Sequence, residues 1–197
     1  MSIYGNAVRA LTVGFVLLAA GGVPTGPADA ATQWQVVPEK STIGFAGTHA
    51  GRAFNGTFKT WTAEIAFDPK DLAGSKAKVT VDLASAATGD ATYDKTLPTA
   101  DWFNVAQIPQ GTFTTASIKD AGDGKSFTAD GSLSIRGVEV PVTLDFTFSE
   151  SGEEARIEGK TSLKRMAFGI GKGSDADGAW VSLDIPVTVS VTLKRAP

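Results

Sequence analysis

The last third of the chain contains the longest run of alternating apolar and polar residues. Every odd position from Val181 to Leu193 is apolar, whereas Ser, Asp, Pro or Thr occupies each even position between them. Successive side chains of a strand point to opposite faces of a sheet, so this period of two predicts a long strand with one buried face. Shorter alternating runs over 79–83, 127–135 and 140–148 predict further strands of the same kind.

Turn signals separate these runs and indicate how they pair. Asp123-Gly124 and Arg136-Gly137 each join two runs through a very short connection, so we expect antiparallel neighbours. The stretch 86–109 lacks alternation and predicts one or two short helices outside the sheet. About eight antiparallel strands with one apolar face must bury that face, which predicts an all-β domain, either a closed barrel or a sandwich.

The first thirty residues differ from the rest of the chain. Arg9 is the only charge before an apolar run over 10–20, and small residues surround Ala30. A basic start, a short apolar segment and a small-residue cleavage site are typical of a secretory signal peptide. We therefore expect a signal peptide over 1–30 and a mature domain over 31–197 in the periplasm or outside the cell. The run is shorter than the roughly 20 apolar residues that span a bilayer, so no stable membrane span is expected.

Charge and composition exclude several classes of function. Eighteen basic residues against 21 acidic ones give a net charge of −3, which argues against nucleic acid as a partner. The chain has no cysteine and a single histidine, His49. Disulfides, thiolate chemistry and multi-histidine metal sites are therefore excluded within one chain, and we expect neither a metal site nor a cofactor.

The motifs that resemble catalytic sites are weak. A Ser-His-acid triad would have to use His49, but no Gly-x-Ser-x-Gly motif accompanies it. The glycine-rich segment 169–173 lacks the spacing of a phosphate loop and is interpreted as a close-approach or flexible loop. The Asp-rich segment 175–178 is interpreted as a turn, because Gly173 would stand at the first ligand position of a calcium loop. The residues thus favour a protein that is not an enzyme.

Several short motifs occur in a fixed order along residues 33–194. They are Trp34-x-x-x-Pro38-x-x-Ser41-x-Ile43-x-Phe45, then His49, Gly56-Thr-Phe58, Asp101-Trp102-Phe103, Pro109-x-Gly-Thr-Phe113, Gly131-x-Leu133-x-Ile135-Arg136-Gly137-Val138, and Arg165-Met-Ala-Phe168-Gly169-Ile170. Each motif alone has low specificity, but their combination and order resemble the YceI-like family.

This resemblance implies a lipocalin-like, eight-stranded antiparallel barrel that holds a long isoprenoid lipid, either a quinone or a prenyl phosphate. An extended apolar chain enters an apolar cavity with a gain of roughly 25 cal/mol per Å² buried. At the rim, His49 and Arg165 would contact the headgroup. The expected cavity lining comprises Ile43, Phe45, Ile65, Phe67, Val81, Leu133, Ile135, Leu144, Phe146 and Leu183.

Two alternatives remain open on the sequence alone. Alternation does not distinguish a hollow barrel from a filled one, and a filled barrel would indicate a structural or interaction protein of the stress response. A barrel enzyme acting on an isoprenoid lipid, with His49 as base, is the second alternative. The sequence also leaves open whether the chain forms a homodimer.

Overall fold

The computed structural model describes residues 31–196, which form one sheet of eleven strands. The expected signal peptide over 1–30 lies outside these residues. The strands are β1 (Gln33–Val36), β2 (Thr42–His49), β3 (Arg52–Phe58), β4 (Trp61–Ala66), β5 (Lys76–Asp82), β6 (Ala86–Ala87), β7 (Gln110–Asp120), β8 (Ser126–Ile135), β9 (Val138–Ser151), β10 (Glu154–Lys164) and β11 (Asp184–Arg195). One α-helix, α1 (Ala91–Thr96), lies between β6 and β7, and short 3-10 turns cover Pro38–Lys40, Leu83–Ser85 and Arg165–Phe168.

Eight of the strands form a closed antiparallel barrel. The ring runs β1-β4-β5-β7-β8-β9-β10-β11, and β11 pairs back with β1. The ring closes at Trp34, which pairs with Ile65 on β4 and with Arg195 on β11. Closure removes the unpaired strand edges that a sandwich would leave. The barrel predicted from the family resemblance is therefore confirmed.

Strands β2 and β3 complete the wall where β1 is too short. β1 covers only the last residues of β11, and β2 pairs with the preceding stretch from Val187 to Ser190. β3 pairs with β2 along its length, and β6 pairs with the end of β3. Together these strands extend one side of the barrel toward the end at which β11 begins.

The two ends of the barrel carry different connections. The loop end holds the connections 50–51, 88–109, 136–137 and 165–183, whereas the packed end holds 67–75, 121–125 and 152–153. The expected hairpin at 136–137 is confirmed, and both of its residues have positive φ (58° and 75°). The expected helical segment lies at the loop end as α1 and a series of turns. No helix within residues 31–196 is long and apolar enough to cross a membrane.

Aromatic side chains fill the packed end. Phe67 lies 4.7 Å from Phe148 and 5.1 Å from Phe127 in edge-to-face contacts, measured between ring centroids. Phe127 also stacks on Phe146 at 5.5 Å, and the indole of Trp34 donates a 2.9 Å hydrogen bond to the carbonyl oxygen of Phe67. These rings bury one another, so this end of the barrel is a conventional hydrophobic core.

Candidate functional site

Burial changes systematically along the inward face of the barrel. On β9, Phe146 and Phe148 are buried near the packed end, whereas Val142 and Leu144 are only half-buried although they point the same way. On β11 the half-buried side chains likewise give way to buried ones at Val191. An inward apolar side chain that retains accessible surface borders an empty space. The alternating residues thus enclose a filled region and a hollow region in one barrel.

The hollow region is an apolar cavity of about 240 Å³. Polar side chains are scarce among its lining residues and comprise Lys76, Thr115, Thr161 and Arg165. Nine of the ten residues predicted to line a cavity do so: Ile43, Phe45, Ile65, Phe67, Val81, Leu133, Ile135, Leu144 and Phe146. A space of this composition suits an extended apolar molecule.

Two glycines hold aromatic rings against the wall of the cavity. The Phe45 ring lies over Gly56, its partner across β2 and β3, so closely that a Cβ there would fall 2.2 Å from the ring. The Phe113 ring lies over Gly131 in the same manner, at 2.7 Å. Only glycine permits this approach. Both rings therefore pack directly against the backbone of the barrel wall.

Leu183 does not belong to the cavity, so that expectation was wrong. Its side chain is 42% exposed and lies against Gly178. β11 begins only at Asp184. In the connection 165–183 before it, the one sheet-like pairing is an isolated β-bridge between Val181 and His49. The alternation in the sequence continues through 181–183, but the backbone there is a loop. The parity of the strand consequently does not carry over to Leu183.

Arg165 also differs from its predicted role, because its side chain is 2% exposed and its guanidinium is bonded within the protein. A guanidinium has five N–H groups. Nε donates to the Ser182 carbonyl at 3.1 Å. Nη1 donates to the Ile170 carbonyl at 2.8 Å and to Met166 Sδ at 3.3 Å. Nη2 donates to Asp175 Oδ2 and to the Asp175 carbonyl, both at 2.7 Å, and to the Val181 carbonyl at 3.0 Å. No donor is left for a headgroup. The residue anchors the connection 165–183 instead.

Asp175 completes this anchor. Its Oδ1 accepts from the Trp180 amide at 2.9 Å, and its Oδ2 accepts from the Val181 amide at 2.8 Å as well as from Arg165. Burial opposes ionisation of this carboxyl, but the two amides and the guanidinium outweigh that effect and keep its pKa below the ordinary value. The interpretation of 175–178 as a turn is correct, and the glycine-rich loop is a close approach, since a Cβ on Gly171 would fall 2.7 Å from Arg165 Nη1.

His49 lies at the loop end, where an aromatic cluster surrounds it. The Tyr93 hydroxyl lies 2.9 Å from His49 Nδ1, and the Trp180 ring lies 6.3 Å from the imidazole. Phe54 links this cluster to the cavity, because it packs on Tyr93 at 5.8 Å and also lines the cavity. His49 therefore lies just outside the apolar space, and its contact with a headgroup stays a prediction. The other ring nitrogen, Nε2, makes no hydrogen bond to any residue of 31–196.

The sequence contained signals for some residues that were missed. Phe54 and Phe58 share the parity of Gly56 on β3, and both line the cavity. The alternation of these residues was detectable from the sequence, but it covers few positions because Arg52 and Ala53, at the start of β3, are both exposed. Tyr93 gave no such signal, because its contact with His49 spans 44 positions of the chain and depends on where α1 packs. Within the described part of the chain, no cluster of three or more histidines and carboxylates is arranged to hold a metal ion.

Comparison with known proteins agrees with this architecture. The family model of the YceI-like domain matches residues 34–193, nearly all of the described chain. The chain belongs to the YceI-like family. Protein YceI of Shigella sonnei is 37% identical over 131 residues, which are 62% of this chain and 68% of that protein.

Solved structures show the same barrel. BcnA of Burkholderia cenocepacia superposes with a TM-score of 0.77 at 30% identity, covering 80% of this chain and 99% of BcnA. A polyisoprenoid binding domain from Saccharophagus degradans, implicated in plant cell wall breakdown, gives a TM-score of 0.66 at 13% identity over 84% of this chain and 99% of that domain. The second likeness shows the fold alone.

Proposed function

We propose that this YceI-like protein carries a long isoprenoid lipid, with the chain of the lipid in the barrel cavity, and acts in the periplasm or outside the cell. The cavity is the observation that carries the proposal. Its apolar lining matches a hydrocarbon chain, and the family resemblance directs the choice to isoprenoids. The polyisoprenoid binding domain of Saccharophagus degradans has the same fold and supports that choice.

The energetic cost of the cavity argues against a merely structural barrel. Empty apolar volume lowers stability by about 24 cal/mol per Å³, so 240 Å³ costs about 6 kcal/mol relative to a filled interior. A domain is commonly stable by only about 5–15 kcal/mol in total. The packed end demonstrates that this sequence can fill an interior with aromatic rings. A bound lipid offsets the cost of leaving the remainder hollow.

The cavity volume also indicates how a long lipid binds. Ligand pockets commonly measure about 300–1,000 Å³, which exceeds the 240 Å³ available here. A long isoprenoid therefore enters by displacing side chains, and the half-buried residues of the lining are the ones with room to move. Val142, Leu144 and Val189 belong to this set. We expect the cavity to widen on binding while the packed end stays fixed.

The loop end favours a neutral headgroup. A phosphate requires a cation with free donors, but all the donors of Arg165 are used within its own loop. The Nε2 atom of His49 at the rim is available to form one hydrogen bond with a carbonyl or hydroxyl group of a ligand. A quinone or prenyl alcohol thus fits better than a prenyl phosphate.

Thermal unfolding with added geranylgeraniol, a prenyl alcohol, tests the proposal. A ligand that binds only the folded state raises its stability by mass action. At free ligand about 100 times its Kd, we expect the wild-type Tm to rise by about 5–10 °C. Geranylgeranyl phosphate should give a smaller rise at the same concentration, because the Arg165 guanidinium at the end of the cavity has no donor free for a phosphate.

Two variants with added bulk provide the matched comparison. Leu133→Trp places an indole in the cavity, so the protein should fold and lose the lipid-dependent rise in Tm. Ala155→Leu adds bulk among buried residues of the packed end and should cost about 1–3 kcal/mol by overpacking, while the rise in Tm persists. Absence of any shift in the wild type, or an equal shift in Leu133→Trp, would overturn the proposal.

A further inference from the structure

Exposed apolar side chains are concentrated at the loop end of the barrel. The large apolar residues that are exposed within 31–196 are Val138, Trp180 and Leu183, at 40%, 60% and 42%. Trp180 and Leu183 belong to the connection 165–183, and Val138 follows the hairpin at 136–137. The packed end presents no comparable side chain among the described residues. This distribution gives the barrel one apolar-tipped end.

Hydrogen bonds fix the part of the connection 165–183 that carries Trp180. Asp175 accepts a hydrogen bond from the Trp180 amide, and the Trp180 carbonyl accepts one from the Ala50 amide at 2.8 Å. Ser182 bonds to Thr48 through both its amide and its hydroxyl, at 3.0 and 3.1 Å. The loop is thus tied to the β2–β3 hairpin on one side and to the buried Arg165 on the other. The exposed indole is therefore carried on a backbone that hydrogen bonds hold in place.

The same loop forms the boundary of the cavity. Val181 lines the cavity and is buried, whereas its neighbour Trp180 points outward. A surface that receives the indole would therefore lie directly over the end of the apolar space. Arg165, which also lines the cavity, fixes this arrangement from below.

We infer that the loop end docks on a phospholipid bilayer through insertion of Trp180 and Leu183. The indole combines an apolar ring with an N–H donor, which suits the boundary between headgroups and acyl chains. A stable protein partner would need about 800 Å² of complementary surface on each side. Side chains isolated among exposed Lys172, Ser174 and Asp177 do not provide such a surface, whereas a fluid bilayer requires no matching shape.

Electrostatics contributes little to this docking. The basic and acidic side chains of the loop end nearly balance: Arg52, Lys95, Arg136, Lys164, Arg165 and Lys172 stand against Asp90, Asp94, Asp101, Glu139, Asp175, Asp177 and Asp184. Attraction to anionic lipids is accordingly weak, and burial of the apolar side chains must drive the binding. We therefore expect vesicle binding to persist at about 1 M salt, where the Debye length is about 3 Å.

Co-sedimentation with vesicles of phosphatidylethanolamine and phosphatidylglycerol tests the inference without any isoprenoid. The wild type should bind, and Trp180→Ser should lower the partition coefficient by about tenfold or more, a factor that corresponds to only about 55 Å² of lost apolar contact. Leu183→Ser should act in the same direction. Lys125→Ser, which shortens an exposed side chain at the packed end, should bind as the wild type does.

Fluorescence locates the inserted residue. Brominated acyl chains should quench part of the wild-type tryptophan emission, and that quenched part should be missing in Trp180→Phe. Failure of the wild type to bind, equal binding by Trp180→Ser, or loss of binding in 1 M salt would overturn the docking surface. The geranylgeraniol-dependent rise in Tm, measured without vesicles, should survive in Leu183→Ser, which lies outside the cavity, so failure of docking and failure of lipid carriage are separable.

Discussion

Arg165 and Asp175 show how one buried ion pair can shape a rim without contacting a ligand. The pair is almost inaccessible to solvent, and the two charged groups are 2.7 Å apart. Each partner also bonds to backbone groups of the connection 165–183, so the pair sets the path of the loop that covers the end of the cavity. A charge buried in this way is stable only while its partner remains ionised.

Removal of the carboxylate charge should therefore be costly. We expect Asp175→Asn to lower the free energy of unfolding by about 3–5 kcal/mol, because the buried guanidinium loses its counter-ion. Denaturant unfolding measures the change. Asp177→Asn is the matched control, since Asp177 is exposed and its carboxylate accepts, from residues 31–196, only the Ala179 amide at 3.1 Å. Equal stabilities of the two variants would contradict the anchoring role.

The pH dependence of stability should carry the same signature. The pKa of Asp175 is lowered in the folded protein, so its contribution is fully present above the ordinary Asp pKa of about 4. That contribution is lost as the pH falls through the lower, folded value. The acid side of the stability profile should thus be shallower in Asp175→Asn than in the wild type, as followed by denaturant midpoints between neutral and strongly acidic pH.

At the scale of the strand, β9 combines a packed segment and a cavity segment on one face. Phe148 contacts Phe67 and Trp34, so Phe148→Ala should cost about 3–5 kcal/mol. Val142 borders the cavity, and Val142→Ala should cost less than about 0.5 kcal/mol because its methyl groups already face empty space. Chemical denaturation of both variants measures the gradient, and comparable losses per atom removed would contradict a hollow interior.

Alternation along β8, β9 and β11 was enough to predict which side chains point inward, because strand parity is a local property. It was not enough to predict burial, which depends on what lies across the barrel. Leu183 shows one limit, since the alternating pattern continues past the residue at which the strand begins. Arg165 shows another, because its partner Asp175 looked like a turn residue and only the folded loop brings the two together.

At the scale of the whole molecule, the barrel divides its interior between stability and binding. The aromatic cluster at the packed end supplies a core that needs no ligand. The loop end supplies the cavity of about 240 Å³, the rim histidine and the rigid loop that carries Trp180. The ring closes through β1 and β11 near the packed end, and β2 and β3 extend the wall around the hollow half.

Organic extraction followed by mass spectrometry tests the central claim most directly. The full chain would be produced in a bacterial host and purified without detergent, and wild type and Leu133→Trp would be extracted in parallel at equal amounts of folded protein. The account predicts a co-purifying isoprenoid lipid with a neutral headgroup in the wild type and its near-absence in Leu133→Trp. Wild-type protein that yields no isoprenoid, or a variant that yields as much as the wild type, would contradict it.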